Sequence, residues 1–222
     1  MRAASERETK VWYVGYYPIF LEMKDRRCLV IGGGSVAERR VEGLLAAGSN
    51  VTVISPSITD GLRDLLGQGA IRHVAREYRA GDWAGYDLVF AATDYSETNA
   101  AVANEARSLR IWVNSADDPD HCDFIMPAVI RRGDLEVAVS TGGESPAATR
   151  AIREELDEYF TADYGMLVQI AGEVRRELRE RAVSSAASAW SRALQGEFRR
   201  LLKEGKPAQA KKLLMETLGV QS

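Results

Sequence analysis

Gly32 and Gly34 stand with Ala37 at the spacing G-x-G-x-x-A, directly after the apolar run at residues 28–31. That spacing suits a phosphate cradle. Gly32 permits a tight turn, and Gly34 lets a pyrophosphate reach the backbone. Ala37 is small enough for a helix to lie close against the preceding strand. The unpaired amides of the helix's first turn then face the anion. A ligand-free strand-to-helix turn would use the same residues, so the context has to decide.

Three further groups carry chemistry. Thr93 and Asp94 follow the apolar run LVFAA, where ligands bind in open α/β sheets, and can border the nicotinamide half of a dinucleotide. Asn114, with Asp117 three residues on, ends the next apolar run in Asn-Ser-Ala-Asp-Asp-Pro. A carboxylate there can act as a general base, although Asp-Asp-Pro also makes a good turn. Thr141, Gly142, Gly143 and Ser145 precede Pro146 and offer amides and hydroxyls to an anion at a helix start, with Arg150 adding charge. From spacing alone, a capped helix with a solvated arginine is an equal reading of that segment.

These residues need a frame to hold them. From residue 25 onward, strands alternate with helices: strands at 28–31, 50–55, 70–77, 88–92 and 110–114, helices at 35–47, 59–66 and 97–107. Such alternation predicts an α/β fold, a Rossmann-like parallel sheet covered by helices. The run at 70–77 alternates like an edge strand. The second strand ends Val53-Ile54-Ser55-Pro56-Ser57, without the acid that usually holds the adenosine ribose. A hydroxyl such as that of Ser55 can still reach a ribose, and the choice between NAD and NADP stays open at this level.

After about residue 115 the pattern changes. Residues 124–130 and 135–140 read as two antiparallel strands, with Pro127 inside the first marking an edge or bulge. Helices are expected at 146–160, 164–181, 185–204 and 207–218. The organisation expected is a disordered tail (1–15), a dinucleotide-binding domain (16–116), a β-rich dimerisation region (117–146) and a helical domain (147–222).

Bulk properties exclude several classes. The net charge of −3 argues against nucleic-acid binding through bulk electrostatics. No apolar run reaches the ~18 residues of a membrane span, and the polar start MRAASERETK is not a signal peptide. Cys28 and Cys122 are too few and too far apart for a disulfide framework, so a cytoplasmic setting is expected. The acids around His121 and Cys122 lack metal-ligand spacing, so no metal site is assigned. The Tyr-x-x-x-Lys and Gly-x-Ser-x-Gly patterns are absent.

Taken in order, residues 17–21 (YPIFL), 30–40, 91–94 (AATD), 114–119 (NSADDP), 122–127 (CDFIMP) and 137–146 (VAVSTGGESP), with Arg150, resemble the precorrin-2 dehydrogenase and sirohydrochlorin ferrochelatase family. That family includes the amino-terminal module of siroheme synthase. The likeness runs from about residue 17 to residue 160. It implies oxidation of precorrin-2, an anionic tetrapyrrole, to sirohydrochlorin with NAD as hydride acceptor. Some members also insert Fe2+ as a substrate. It implies a homodimer with the active site in a cleft between domains. It matches Gly32, Gly34, Ser35 and Val36 to the cofactor loop, Ser57 and Ile58 to the adenosine side, and Asp117 to the family's essential base, which removes the turn as the preferred reading there. The glycine turn at 141–145 and Arg150 then become candidates for the carboxylates of the tetrapyrrole. A non-catalytic NAD- or tetrapyrrole-sensing module, and a methyltransferase using S-adenosylmethionine, are the competing classes.

Overall fold

The computed structural model describes residues 15–116 and 118–219. The expected tail lies outside the described residues through position 14, and so does Asp117. The chain divides into two compact units, the first ending at Ile125 and the second starting at Met126.

The first unit runs β1 (Arg27–Ile31), α1 (Ser35–Ala46), β2 (Asn50–Ile54), α2 (Asp60–Gly67), β3 (Ile71–Val74), β4 (Leu88–Ala91), α3 (Ser96–Ser108) and β5 (Trp112–Ser115). All five strands are parallel, in the order β3-β2-β1-β4-β5. This is the expected α/β class. Side chains of β1 alternate between two buried faces, as strands covered on both sides must. Cys28 and Val30 pack with Ala37 and Val41 of α1 and Leu62 of α2. Leu29 and Ile31 pack with Trp83 and with Val102, Ala103 and Ala106 of α3.

Topology then creates the crevice. The chain steps outward from β1 to β2 to β3, and returns to the far side of β1 as β4. The connections leaving β1 and β4 therefore go to opposite faces, which opens a gap at their carboxyl ends. Register aligns those ends. Ile31 pairs with Ile54 on one side and Ala91 on the other, and Ala91 pairs with Ser115.

Two expectations within this unit are corrected. The edge strand at 70–77 shrinks to Ile71–Val74. The last strand starts at Trp112 and not at residue 110, because Arg110 closes the turn after α3 with a left-handed φ of 57°.

The second unit opens with an antiparallel hairpin, β6 (Ala128–Arg132) and β7 (Leu135–Val139), in which Ala128 pairs with Val139 and Arg132 with Leu135. Pro127 precedes β6 and does not interrupt it, since a proline there removes no ladder hydrogen bond. Five helices follow: α4 (Pro146–Tyr159), α5 (Ala162–Glu180), α6 (Ala187–Ala193), α7 (Glu197–Lys203) and α8 (Pro207–Thr217). The single helix expected over 185–204 is two. Gly196, with φ 56° and ψ −121°, takes a conformation no helix continues through. The break lets Ala193 and Phe198 both join Ile170, Val174, Ala210 and Leu214 in one core. Arg132 ties the hairpin to α4, its Nη2 donating to the Asp157 carbonyl at 2.9 Å and to Oδ1 at 3.0 Å.

Candidate dinucleotide-binding site

The glycine loop is built by close approach. Gly32 has φ +117°, and a β-carbon on it would stand 2.1 Å from the Ala92 carbonyl oxygen. Gly33, which the spacing argument left without a role, is as constrained: a β-carbon there would meet the Ser57 carbonyl oxygen at 2.0 Å. The loop is also bonded to its neighbours, with Gly32 N donating to Ile54 O at 3.0 Å and Thr59 N donating to Gly33 O at 3.0 Å. Gly34 differs, because nothing lies within 4 Å of where its β-carbon would be. Its side is open, as a pyrophosphate approaching the backbone requires.

Gly34 is the N-cap of α1, and no side chain bonds to the helix start. The first intrahelical donor is Glu38 N, to Gly34 O at 3.0 Å. The amides of Ser35, Val36 and Ala37 are left without intrahelical acceptors. Gly34, Ser35 and Val36 face Ala92, Thr93, Asp94 and Ala116 across a cavity of about 310 Å³. The sequence-expected residues on α1 and after β4 thus meet at one place, and Ala116, which precedes Asp117, lines it as well.

The β4 side is held by a residue not foreseen. Asn99 of α3, only 1% exposed, accepts from Thr93 N at 3.2 Å and from Thr93 Oγ1 at 2.8 Å, and donates to Thr93 O at 2.9 Å. An asparagine six residues downstream shows no such role in sequence, because the turn that brings it back has no regular period.

At the end of β2, the Ser55 hydroxyl donates to Ser57 O at 2.6 Å and is buried. It shapes the loop beneath Gly33. The Ile58 side chain lies in the core, while Ser57 is exposed.

Asn114 sits beside Phe90 in the sheet register and is 5% exposed. Its Nδ2 donates to Phe124 O at 2.9 Å and contacts Cys122 Sγ at 3.4 Å. The CDFIMP segment is thereby clipped onto β5. Cys122 Sγ also accepts from Ser115 N at 3.2 Å, and burial pushes this thiol up. Both cysteines are free. His121 Nδ1 lies 2.6 Å from Asp118 Oδ2, and that hydrogen bond holds the Asp118 carboxyl below the usual range.

In the second unit, the hydroxyls near residue 145 are turned inward. Ser145 Oγ accepts from Ala148 N at 3.1 Å and caps α4. Thr141 Oγ1 accepts from Ser145 N at 3.1 Å and bonds the Thr149 hydroxyl at 2.9 Å. Gly142 and Gly143 have φ of 67° and 91°. Arg150 is exposed and pairs with Glu154 at 3.1 Å.

A glycine-walled crevice at the switch point of a parallel sheet, with free helix amides facing it, defines the first unit as a dinucleotide-binding domain. Residues 19–128 match the family described as putative NAD(P)-binding, and residues 132–159 the one described as sirohaem biosynthesis protein central. The chain is 41% identical over 206 residues to the siroheme synthase of Nitrosomonas eutropha, and 40% identical over 203 residues to that of Methylococcus capsulatus. These alignments cover 91% and 90% of this chain, and 43% of each relative. The chain therefore spans less than half the length of these curated relatives. A solved structure of SirC, precorrin-2 dehydrogenase, matches with TM-score 0.71 and 25% identity, covering 90% of this chain and all of that one.

The chain belongs to the siroheme synthase and precorrin-2 dehydrogenase family. The dinucleotide site expected from the glycine loop falls within the match to the NAD(P)-binding family, which supports the NAD that the resemblance implied.

Proposed function

We propose that the protein oxidises precorrin-2 to sirohydrochlorin in siroheme biosynthesis, with a hydride leaving to NAD and a proton to a base. One observation carries this reading. The sheet register sets the free amides of α1, the Thr93–Asp94 turn and Ala116 around one cavity, and the next residue in the chain is Asp117.

Bound NAD supplies the hydride acceptor. The amides of Ser35, Val36 and Ala37 hold its pyrophosphate beside Gly32 and Gly34, and Ser55, Ser57 and Ile58 form the adenosine end through the backbone and the Ser57 hydroxyl. Thr93 and Asp94 serve the nicotinamide end, and the buried Asn114 supports it from β5 by holding the Phe124 backbone. Asp117 takes the proton. Thr141, Gly142, Gly143, Ser145 and Arg150 are substrate-binding residues. Since the Thr141 and Ser145 hydroxyls are engaged at the start of α4, the exposed backbone of the glycine turn and the Arg150 guanidinium are the groups that meet carboxylates.

The protein acts as a homodimer in the cytoplasm. The dimer is supported by α4, an amphipathic helix with no buried residue, on which Ile152 and Tyr159 are exposed. Among the described residues no helix is long and apolar enough to cross a membrane.

The test is anaerobic incubation with precorrin-2 and NAD, read by product spectrum. Sirohydrochlorin should form with NAD and not without it. Retention of NAD with precorrin-2 unchanged would favour the sensing module instead. A parallel arm with sirohydrochlorin and Fe2+ but no NAD decides iron insertion: sirohaem above the uncatalysed rate assigns it, and none removes it.

A further inference from the structure

Arg40, one turn after Val36 on α1, is a half-buried cation with no hydrogen bond or ion pair among the described residues. Its guanidinium lies over the Phe90 ring, 5.6 Å from the centroid. Phe124 packs edge-on against that ring, with centroids 5.6 Å apart and planes at 90°. Burial and the neighbouring Arg39 both disfavour the charge. A guanidinium cannot shed its proton in response, so a buried one is normally paired with an acid. Among the described residues that acid is missing.

Position says what kind of anion completes the group. Helical side chains lean toward the amino terminus, so Arg40 reaches back toward Val36, which lines the cavity. Phe90 lies two residues before Ala92 on β4, roughly 6–7 Å down the strand from the cavity wall. The guanidinium is therefore set back from the Ser35–Ala37 amides, whose place is under the cofactor's pyrophosphate. Phe90 itself is buried beneath the guanidinium, and the partly exposed Phe124 leaves an apolar edge next to a single positive charge. A carboxylate on a flexible arm at the edge of a flat, apolar macrocycle matches both features.

We propose that Arg40 is a substrate-binding residue that seats one carboxylate of the polyanionic tetrapyrrole, with the partly exposed Phe124 as the apolar surface beside it. This rests on the tetrapyrrole reading given above. A bound carboxylate would make the charge-assisted pair that the guanidinium lacks.

Anaerobic titration of sirohydrochlorin into the wild type, Arg40→Gln and Arg40→Lys tests it, with NAD titrations and melting curves in parallel. Arg40→Gln should bind sirohydrochlorin roughly tenfold more weakly, the cost of about one charge-assisted contact. Arg40→Lys should fall between, and NAD affinity should not change. Unaltered sirohydrochlorin binding by Arg40→Gln overturns the proposal. So does an equal loss of NAD affinity, which would give the guanidinium to a cofactor phosphate. Loss of a cooperative melt in both variants would make the role structural, for example toward the unpartnered Asn114 Oδ1 on the same sheet face, and would also overturn it. Failure of the wild type to bind sirohydrochlorin would instead remove the tetrapyrrole reading itself.

Discussion

Gly32 lies so close beneath Ala92 that a β-carbon on it would stand 2.1 Å from the Ala92 carbonyl oxygen. The end of β1 and the end of β4 touch through backbone alone, and the crevice for the cofactor opens directly above that contact.

Substitutions at Gly32 and Gly34 should therefore separate folding from binding. Gly32→Ala meets backbone and needs a positive φ, so it should cost roughly 3 kcal/mol or more and lower Tm sharply. Gly34→Ala meets nothing within the protein and should melt like the wild type. Its methyl group would stand where the pyrophosphate approaches, so NAD affinity should fall at least about tenfold. Calorimetric NAD titration with melting curves checks both.

Asn99→Ala should loosen the Thr93 turn. It removes the Asn99 partners of the Thr93 N–H and carbonyl and leaves the hydroxyl with only its 3.2 Å hydrogen bonds to Tyr95. The expected destabilisation is about 1–3 kcal/mol, with a weaker loss of NAD affinity, measured by denaturant unfolding and NAD titration.

Arg76 and Asp82 give the first unit a pH signature. The carboxylate accepts from Arg76 Nη1 at 2.7 Å, from Nη2 at 2.6 Å and from Arg79 N at 2.7 Å. The Arg76 hydrogen bonds hold the Asp82 carboxyl below its usual range, against the opposing effect of burial. A carboxyl lowered in the folded state stabilises above its unfolded pKa, and that contribution is lost as pH falls through the folded one. Asp82→Asn should thus lower Tm by a few degrees at neutral pH, and its difference from wild type should shrink on acidification. Melting curves across pH give the comparison.

Asp117→Asn should leave NAD binding unchanged while slowing precorrin-2 turnover by about 10²–10⁴-fold, the usual range for a lost general base. Turnover at the wild-type rate would return Asp117 to a turn residue.

The parts of the fold carried by short-range rules were legible in the sequence. Strand–helix alternation gave the parallel sheet, and Gly32 and Gly34 marked the loop because tight turns and open backbone have few other solutions. Gly33 was not legible: its constraint comes from the Ser57 carbonyl, which arrives only when β1 pairs with β2. The same holds for Asn99, whose partner is set by the path of a turn, and for Ser55, whose hydroxyl goes to the loop beneath the glycines. Gly196 was missed because a lone glycine in a helical pattern can be tolerated or can break it, and here the packing of Ala193 and Phe198 on α5 and α8 decides. Arg40 reads in sequence as one more solvated helix cation. Only Phe90 and Phe124 around it reveal the unpaired charge.

The most direct measurement follows the hydride. Precorrin-2 carrying deuterium at the ring carbon that is oxidised, turned over once without oxygen in the presence of NAD, should yield sirohydrochlorin and an equal amount of reduced cofactor bearing the deuterium, detected by mass spectrometry. Deuterium in the solvent, or sirohydrochlorin formed without reduced cofactor, would contradict direct transfer in the crevice between Gly34 and Thr93.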